Sequence, residues 1–186
     1  QALNRLGIAT TPYVAHGIRG WIPASIESFV MTQDLGEILT LEDLAVEWQK
    51  QPPPIKVKRN MIRRVAEITS QMHAHGIYHR DLYICHFCMK KSALDFQHPP
   101  LILLDLHRAE LLPALSETMQ MKDLAALYFS AMDLALNRGD KTAFIRTYAP
   151  HFAATSSDIR LWRQVLARAI RLYAKFQRKK SAGIAM

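Results

Sequence analysis

Two kinds of hydrophobic spacing run along the chain. Before residue 40 the apolar positions come in short bursts. Tyr13 to Ile18 and Ile26 to Met31 read as two strands of a hairpin turning around Gly20, preceded over residues 1 to 6 by the end of a helix that Gly7 closes. Beyond residue 40 the period lengthens. Thr40 precedes Glu42 and Asp43, the pattern of a capped helix with negative charge in its first turn, and Pro52-Pro53-Pro54 stops it. Met61, Ile62, Val65, Ile68, Thr69 and Met72 recur at spacings of three and four, predicting a helix from about Lys58 to His75 with Gly76 as its end. Phe87 to Met89 reads as a short strand, and Leu101-Ile102-Leu103-Leu104 as one covered on both faces. Met121 to Leu136 predicts a buried helix with Leu124, Leu127, Tyr128 and Ala131 inward. Ser157 caps a last helix. Its stripe is Ile159, Trp162, Val165, Leu166, Ala169, Ile170 and Tyr173, and its other face carries Arg160, Arg163, Arg168, Arg171 and Lys175. A few strands followed mostly by helices make an α+β chain.

Composition narrows the class. Of 186 residues, 49% are hydrophobic and 22% charged, which excludes a disordered chain and implies a packed core. The net charge of +8 is unevenly placed, because residues 151 to 186 hold eight Lys/Arg and one acid while residues 1 to 150 hold sixteen against fifteen. A basic end of this kind meets nucleic acid, an anionic lipid surface or a phosphorylated substrate, or is a solvated helix face. Cys85 and Cys88, the two cysteines, are too few and too close to staple a secreted fold, which points to a reducing compartment. No uninterrupted apolar run of about 18 residues and no basic-then-apolar leader appear, so a soluble or membrane-peripheral chain is expected. It begins at Gln1 without Met, and a missing upstream segment is expected.

The chemistry concentrates in His79-Arg80-Asp81-Leu82-Tyr83-Ile84-Cys85-His86-Phe87, directly after the long helix. A carboxylate in a loop between a buried helix and a strand is placed to accept a proton from an attacking hydroxyl. Asp105 stands at the end of the apolar strand, where a second carboxylate can hold a divalent cation that bridges phosphates. His79-Arg80-Asp81 resembles the H-R-D of the protein-kinase catalytic loop, and Asp105-Leu106-His107 stands where kinases carry D-F-G. Kinases place an Asn five residues after the catalytic Asp. Here the residue is His86, a departure from ordinary protein kinases. The longer wording His79-Arg80-Asp81-x-Tyr83-Ile84-Cys85-His86-Phe87, Asp105-Leu106-His107-Arg108-Ala109, Lys122-Asp123-Leu124 and Leu127-Tyr128-Phe129-Ser130 is similar to the bacterial lipopolysaccharide core heptose(I) kinases. The likeness runs from about Tyr13 to Tyr173.

That resemblance implies an α+β, protein-kinase-like fold, N-terminally truncated. Residues 1–35 would be the remnant of the small β lobe, hairpin and hinge, and residues 36–186 a mainly α-helical C-terminal lobe with catalytic loop and metal-binding strand end. It implies transfer of the ATP γ-phosphate to a heptose hydroxyl of the lipopolysaccharide inner core, with Mg2+, at the cytoplasmic face of the inner membrane. Asp81 would be the base or hydroxyl-orienting carboxylate, with Arg80 as a catalytic partner. Asp105 would be the principal magnesium ligand. His86 would stand at the second metal position, as a ligand or as a donor to a phosphate. Arg80 and Arg108 would neutralise developing charge or brace the loops, and Asp123 would tie down the catalytic loop from behind. Met31, Gln33 and Leu35 fall in the hinge whose backbone hydrogen-bonds adenine. The acceptor glycolipid is the expected partner, the basic end touching an anionic membrane surface; nucleic acid is not expected. The Gly-rich hairpin and third-strand lysine of kinases have no match in residues 1 to 12, and the first lysine is Lys50, so weak ATP binding is expected of a truncated kinase.

Other readings compete. A related Kdo or other sugar kinase shares these motifs, and a catalytically silent kinase-like fragment would only bind glycolipid or a partner. Cys85-x-x-Cys88 with His73, His75, His79 and His86 raises zinc, although the pair straddles a strand start and no second pair exists. His86 also reads as a satisfied structural histidine, Asp105 as a strand-end cap, and Asp81 as a turn aspartate.

Overall fold

In the computed structural model, residues 2–22, 25–134, 136–151, 153 and 155–183 are described. The chain opens with a short helix α1 (Ala2–Arg5) and strand β1 (Ala9–Thr10), then the hairpin β2 (Tyr13–Arg19) and β3 (Glu27–Thr32). The hairpin pairs with nothing else among the described residues. Gly17 lies opposite Phe29, and a Cβ there would fall 2.4 Å from the Phe29 ring. The glycine makes room for the aromatic across the ribbon.

Strand β4 (Ile38–Thr40) leads into α2 (Leu41–Lys50). Thr40 caps α2 as expected, and Asp43 completes a reciprocal capping box with it. Helix α3 (Ile55–Ala74) begins a turn earlier than the apolar period suggests, because Pro54 at its N-cap has no N–H to leave unpaired. Its Met61, Val65, Ile68, Thr69 and Met72 are buried. Gly76 at φ 73 turns the chain into β5 (Ile77–Tyr78).

Strand β6 (Phe87–Lys90) follows, then β7 (Ile102–Leu103), which is shorter than the apolar run Leu101–Leu104 but buried on both faces. The four-stranded sheet has the order β1-β7-β6-β4, with β1 parallel to β7 and the other pairs antiparallel. Leu3 and Ile8 sit in the same core as α2, α3 and these strands. Strand β1 thus pairs in one sheet with strands that come after residue 36. Strand β8 (Glu110–Leu111) pairs with β5.

Three helices finish the chain. Helix α4 (Glu117–Ser130) starts earlier and ends sooner than the expected 121–136, giving way to a 3-10 turn at Met132–Leu134; Ala135 lies outside the described residues. Helix α5 (Arg138–Tyr148), capped by Asn137 and Asp140, was not foreshadowed by the apolar pattern. Helix α6 (Ser156–Ser181) is capped by Thr155 rather than Ser157, since Thr155 has Asp158 three residues on to answer its backbone N–H. Its stripe is narrower than predicted. Val165 and Ala169 are buried and Trp162 and Tyr173 half-buried, while Ile159, Leu166 and Ile170 are exposed.

Between α2, α3, α4, α5 and α6 lies an apolar cavity of about 320 Å³, walled by Leu44, Trp48, Met61, Leu127, Phe144 and Trp162 among others, with Lys58 and Asp140 paired at 2.7 Å on its lining. No helix of the described residues is long and apolar enough to cross a membrane.

Candidate active site

The loop after β5 is built on one buried carboxylate. Asp123 of α4, fully buried, accepts the backbone N–H of His79 and of Arg80, each at 2.9 Å, and faces Nε2 of His73 at 3.3 Å. A buried charge survives only when such donors surround it. Arg80 has φ 75, a left-handed conformation costly for a residue with a Cβ, and the bond to Asp123 holds it there. From the far side Ser130 Oγ accepts the Ile84 N–H at 3.0 Å. Asp81 thus projects from a loop anchored at both ends.

His79 is itself buried. Its Nε2 donates to the Leu104 carbonyl at 3.1 Å, and burial pushes its imidazole below the ordinary value, so the ring is neutral. The ring stacks on His86, centroids 5.7 Å apart.

His86 links the two expected acidic positions. Its Nδ1 contacts the Asp81 carbonyl at 2.7 Å, and because a carbonyl only accepts, Nδ1 carries the proton. Its Nε2 faces Oδ2 of Asp105 at 3.3 Å. A neutral ring would set a lone pair against a carboxylate there. The His86 carbonyl also accepts the Leu104 N–H at 2.8 Å, so the loop and the strand end are joined twice. Asp105 stands at φ 58, and its Oδ1 meets Nδ1 of His107.

Arg108 closes the arrangement. A single nitrogen, Nη1, donates to both oxygens of Asp81, at 3.0 and 2.8 Å. Arg80 turns away, with Nη1 on Glu110 of β8; among the described residues no hydrogen bond or ion pair joins its side chain to Asp81 or Asp105. Met31 is exposed on β3, the Gln33 N–H donates to the Pro12 carbonyl at 2.8 Å, and Leu35 is half-buried. Among the described residues no hydrogen bond or ion pair ties this segment to Asp81 or Asp105. Cys85 and Cys88 are free thiols, and burial pushes both above the ordinary thiol value. Among the described residues no three His, Cys, Asp or Glu side chains gather into a metal cage.

Sequence reasoning quoted His107 within the Asp105-Leu106-His107 motif but gave it no role, and it missed Glu110 and Tyr148, whose hydroxyl contacts Nδ1 of His73 at 2.7 Å. Only the adjacency of His107 to Asp105 offered a signal.

The chain is 44% identical over 155 residues to the lipopolysaccharide core heptose(I) kinase WaaP of Pseudomonas aeruginosa, covering 80% of this chain and 57% of that protein. It is 39% identical over 168 residues to an Escherichia coli protein of the same name, covering 86% and 60%, and 35% identical over 180 residues to that of strain K12, covering 95% and 68%. The chain therefore spans less than two thirds of the length of the first two. A solved structure described as WaaP in complex with acyl carrier protein superposes with a TM-score of 0.82 at 38% identity, over 92% of this chain and 72% of that one. The small sheets and mainly helical C-terminal part thus form the expected kinase-like fold. With the lipopolysaccharide kinase (Kdo/WaaP) family model matching residues 1–148, the chain belongs to that family.

Proposed function

We propose that this chain carries the catalytic centre of an ATP-dependent kinase that phosphorylates a heptose hydroxyl of the lipopolysaccharide inner core. The observation that carries the reading is that His86 joins the Asp81 carbonyl to the Asp105 carboxylate, while Arg108, three residues after Asp105, holds the Asp81 carboxylate. Phosphoryl transfer asks for positioning and charge neutralisation more than for covalent chemistry, and this constellation offers both. Each Asp81 oxygen accepts once from Arg108 and keeps a lone pair for the acceptor hydroxyl, which it would orient for attack. Arg80 would hold the loop by its bond to Glu110.

Magnesium fits the residues present. Asp105 has a partly exposed carboxylate, and the Nε2 of His86 beside it has a place for a cation. Mg2+ usually takes one or two carboxylates, with phosphate oxygens and waters completing its shell, so a protein cage of three ligands is not required. Asp105 would hold the ion, with His86 as a second ligand or a donor to a phosphate, and the ion would neutralise phosphate charge. Met31, Gln33 and Leu35 would meet the adenine as a hinge between the hairpin region, residues 1–35, and the helical part, 36–186. The exposed Arg160, Arg163, Arg171 and Lys175 of α6 suit an anionic glycolipid at the cytoplasmic face of the inner membrane.

The apolar cavity supports a second partner. One family structure is described as a complex with acyl carrier protein, and an apolar cavity lined mainly by Leu, Met, Phe and Trp suits an acyl chain better than a sugar or nucleotide. We infer that this cavity takes the acyl group of such a carrier.

Phosphate transfer from labelled ATP to purified inner-core glycolipid tests the main reading. Asp81→Asn and Asp105→Ala should each reduce it by about a hundredfold or more. Transfer at the unsubstituted rate in either variant overturns the role assignment. Co-purification of acylated but not unacylated carrier protein tests the cavity.

A further inference from the structure

Behind the catalytic loop runs a buried relay whose outer member has no place in the chemistry described so far. Tyr148, the last residue of α5, is 9% exposed and places its hydroxyl 2.7 Å from Nδ1 of His73 on α3. His73, 5% exposed, has Nε2 3.3 Å from Oδ2 of Asp123, and Asp123 accepts the N–H groups of His79 and Arg80. The proton positions follow from what each group can do. A carboxylate accepts, so Nε2 of His73 donates, and the Nδ1 of a neutral ring is then an acceptor that needs a donor. Tyr148 supplies it. Burial, and then the charge of Asp123, push its phenol far above the ordinary value, so it stays protonated and has a proton to give to this nitrogen. Without that O–H, Nδ1 is left buried with no donor, and the tautomer that donates from Nε2 to Asp123 loses its support from behind.

The hydroxyl is held in place by packing. The Tyr148 ring stacks on Phe144, interplanar angle 8°, and meets Trp162 edge-on with centroids 5.8 Å apart. Its orientation is set by these aromatic neighbours rather than by the hydrogen bond it makes.

We propose that Tyr148 is a positioning residue for phosphoryl transfer: its hydroxyl selects the His73 tautomer that orients Asp123, and Asp123 in turn holds the His79–Arg80 backbone from which Asp81 projects. This rests on the kinase reading for its rate, but not for its geometry, and the experiment separates the two.

Tyr148→Phe keeps the ring and removes only the donor. Residue-resolved amide hydrogen exchange in the protein should show the His79 and Arg80 amides exchanging about ten times faster, with Met89 and Leu103 unchanged. Transfer to glycolipid should lose about ten-fold in kcat with KM for both substrates unaltered. Tyr173→Phe, which deletes a hydroxyl bonded to Asp133, should leave the two loop amides as they are. His73→Gln, which retains a donor near the Nε2 position, should keep the loop amides more protected than His73→Leu does. Unchanged His79 and Arg80 exchange in Tyr148→Phe, or equal acceleration in Tyr173→Phe, overturns the proposal whatever the enzyme phosphorylates. Faster exchange of these two amides in a protein that transfers no phosphate to glycolipid would uphold the relay and sink the substrate reading alone.

Discussion

Gly76 is the position where a single added methyl should do the most damage. It sits at φ 73 between α3 and β5, and its carbonyl accepts the Leu112 N–H at 2.9 Å. A Cβ on it would stand 1.9 Å from the Leu112 carbonyl oxygen and 3.0 Å from its carbon. No side-chain rotation relieves a clash with backbone. The left-handed conformation costs an L-residue about 1–2 kcal/mol, and forcing Leu112 aside adds overpacking of roughly 1–3 kcal/mol and weakens the β5–β8 pairing. Gly76→Ala should therefore lose about 2–5 kcal/mol. Gly36 provides the control, because it has φ 71 and a Cβ on it would meet nothing within 4 Å, so Gly36→Ala should lose only about 1 kcal/mol. Urea unfolding followed by circular dichroism reads both, and in a chain of this size the difference corresponds to roughly 10 °C in Tm. Because β5 runs into the Asp81 loop and β8 follows Arg108, the surviving Gly76→Ala protein should also lose the Asp81–Arg108 pair. Equal midpoints for the two variants would refute the clash argument.

Arg108→Ala should slow transfer by about ten- to a hundredfold, whereas Arg108→Lys should remain within about threefold, because both contacts to Asp81 come from one nitrogen that an ammonium can replace; a lysine variant as slow as the alanine one contradicts this. His79 is held below its ordinary 6.5 by burial, so the unfolded chain takes up the proton first as pH falls. Its contribution is whole above about pH 6.5 and is lost as pH drops from there towards the folded value. Denaturation midpoints should accordingly fall more steeply from about pH 7.5 to 5.5 in the unsubstituted protein than in His79→Asn, and parallel curves would count against it. Cys85 and Cys88, both raised chiefly by burial, should react with iodoacetamide at about pH 8 at least about ten-fold more slowly than in urea, and equal rates would show them exposed.

How much of this was legible in the sequence depends on distance along the chain. Thr40 with Asp43 and the α3 periodicity are local patterns and were readable. Asp123 was readable through its likeness to a family motif. Helix α5 was not, since Arg138-Gly139-Asp140-Lys141-Thr142 carries little apolar signal and its burial is supplied by neighbours distant in sequence, such as α3. The swap of Arg108 onto Asp81 and Arg80 onto Glu110 joins residues 27 and 30 apart, and either arginine suits either acid on charge alone. Likewise Leu166 fits the apolar period of α6 as well as Val165 does. Both line the cavity, but Val165 is buried and Leu166 exposed, a difference that periodicity does not carry.

The β2–β3 ribbon bears on how this chain behaves in a tube. Among the described residues its two strands pair only with one another, so one hydrogen-bonding edge of each strand faces water, as do Val14, Ile18, Trp21, Phe29 and Val30. A ribbon of that kind sticks to its own copies, and colloidal loss at high concentration, rather than heat, should limit shelf life. Dilution and mild detergent will preserve the preparation better than cooling does.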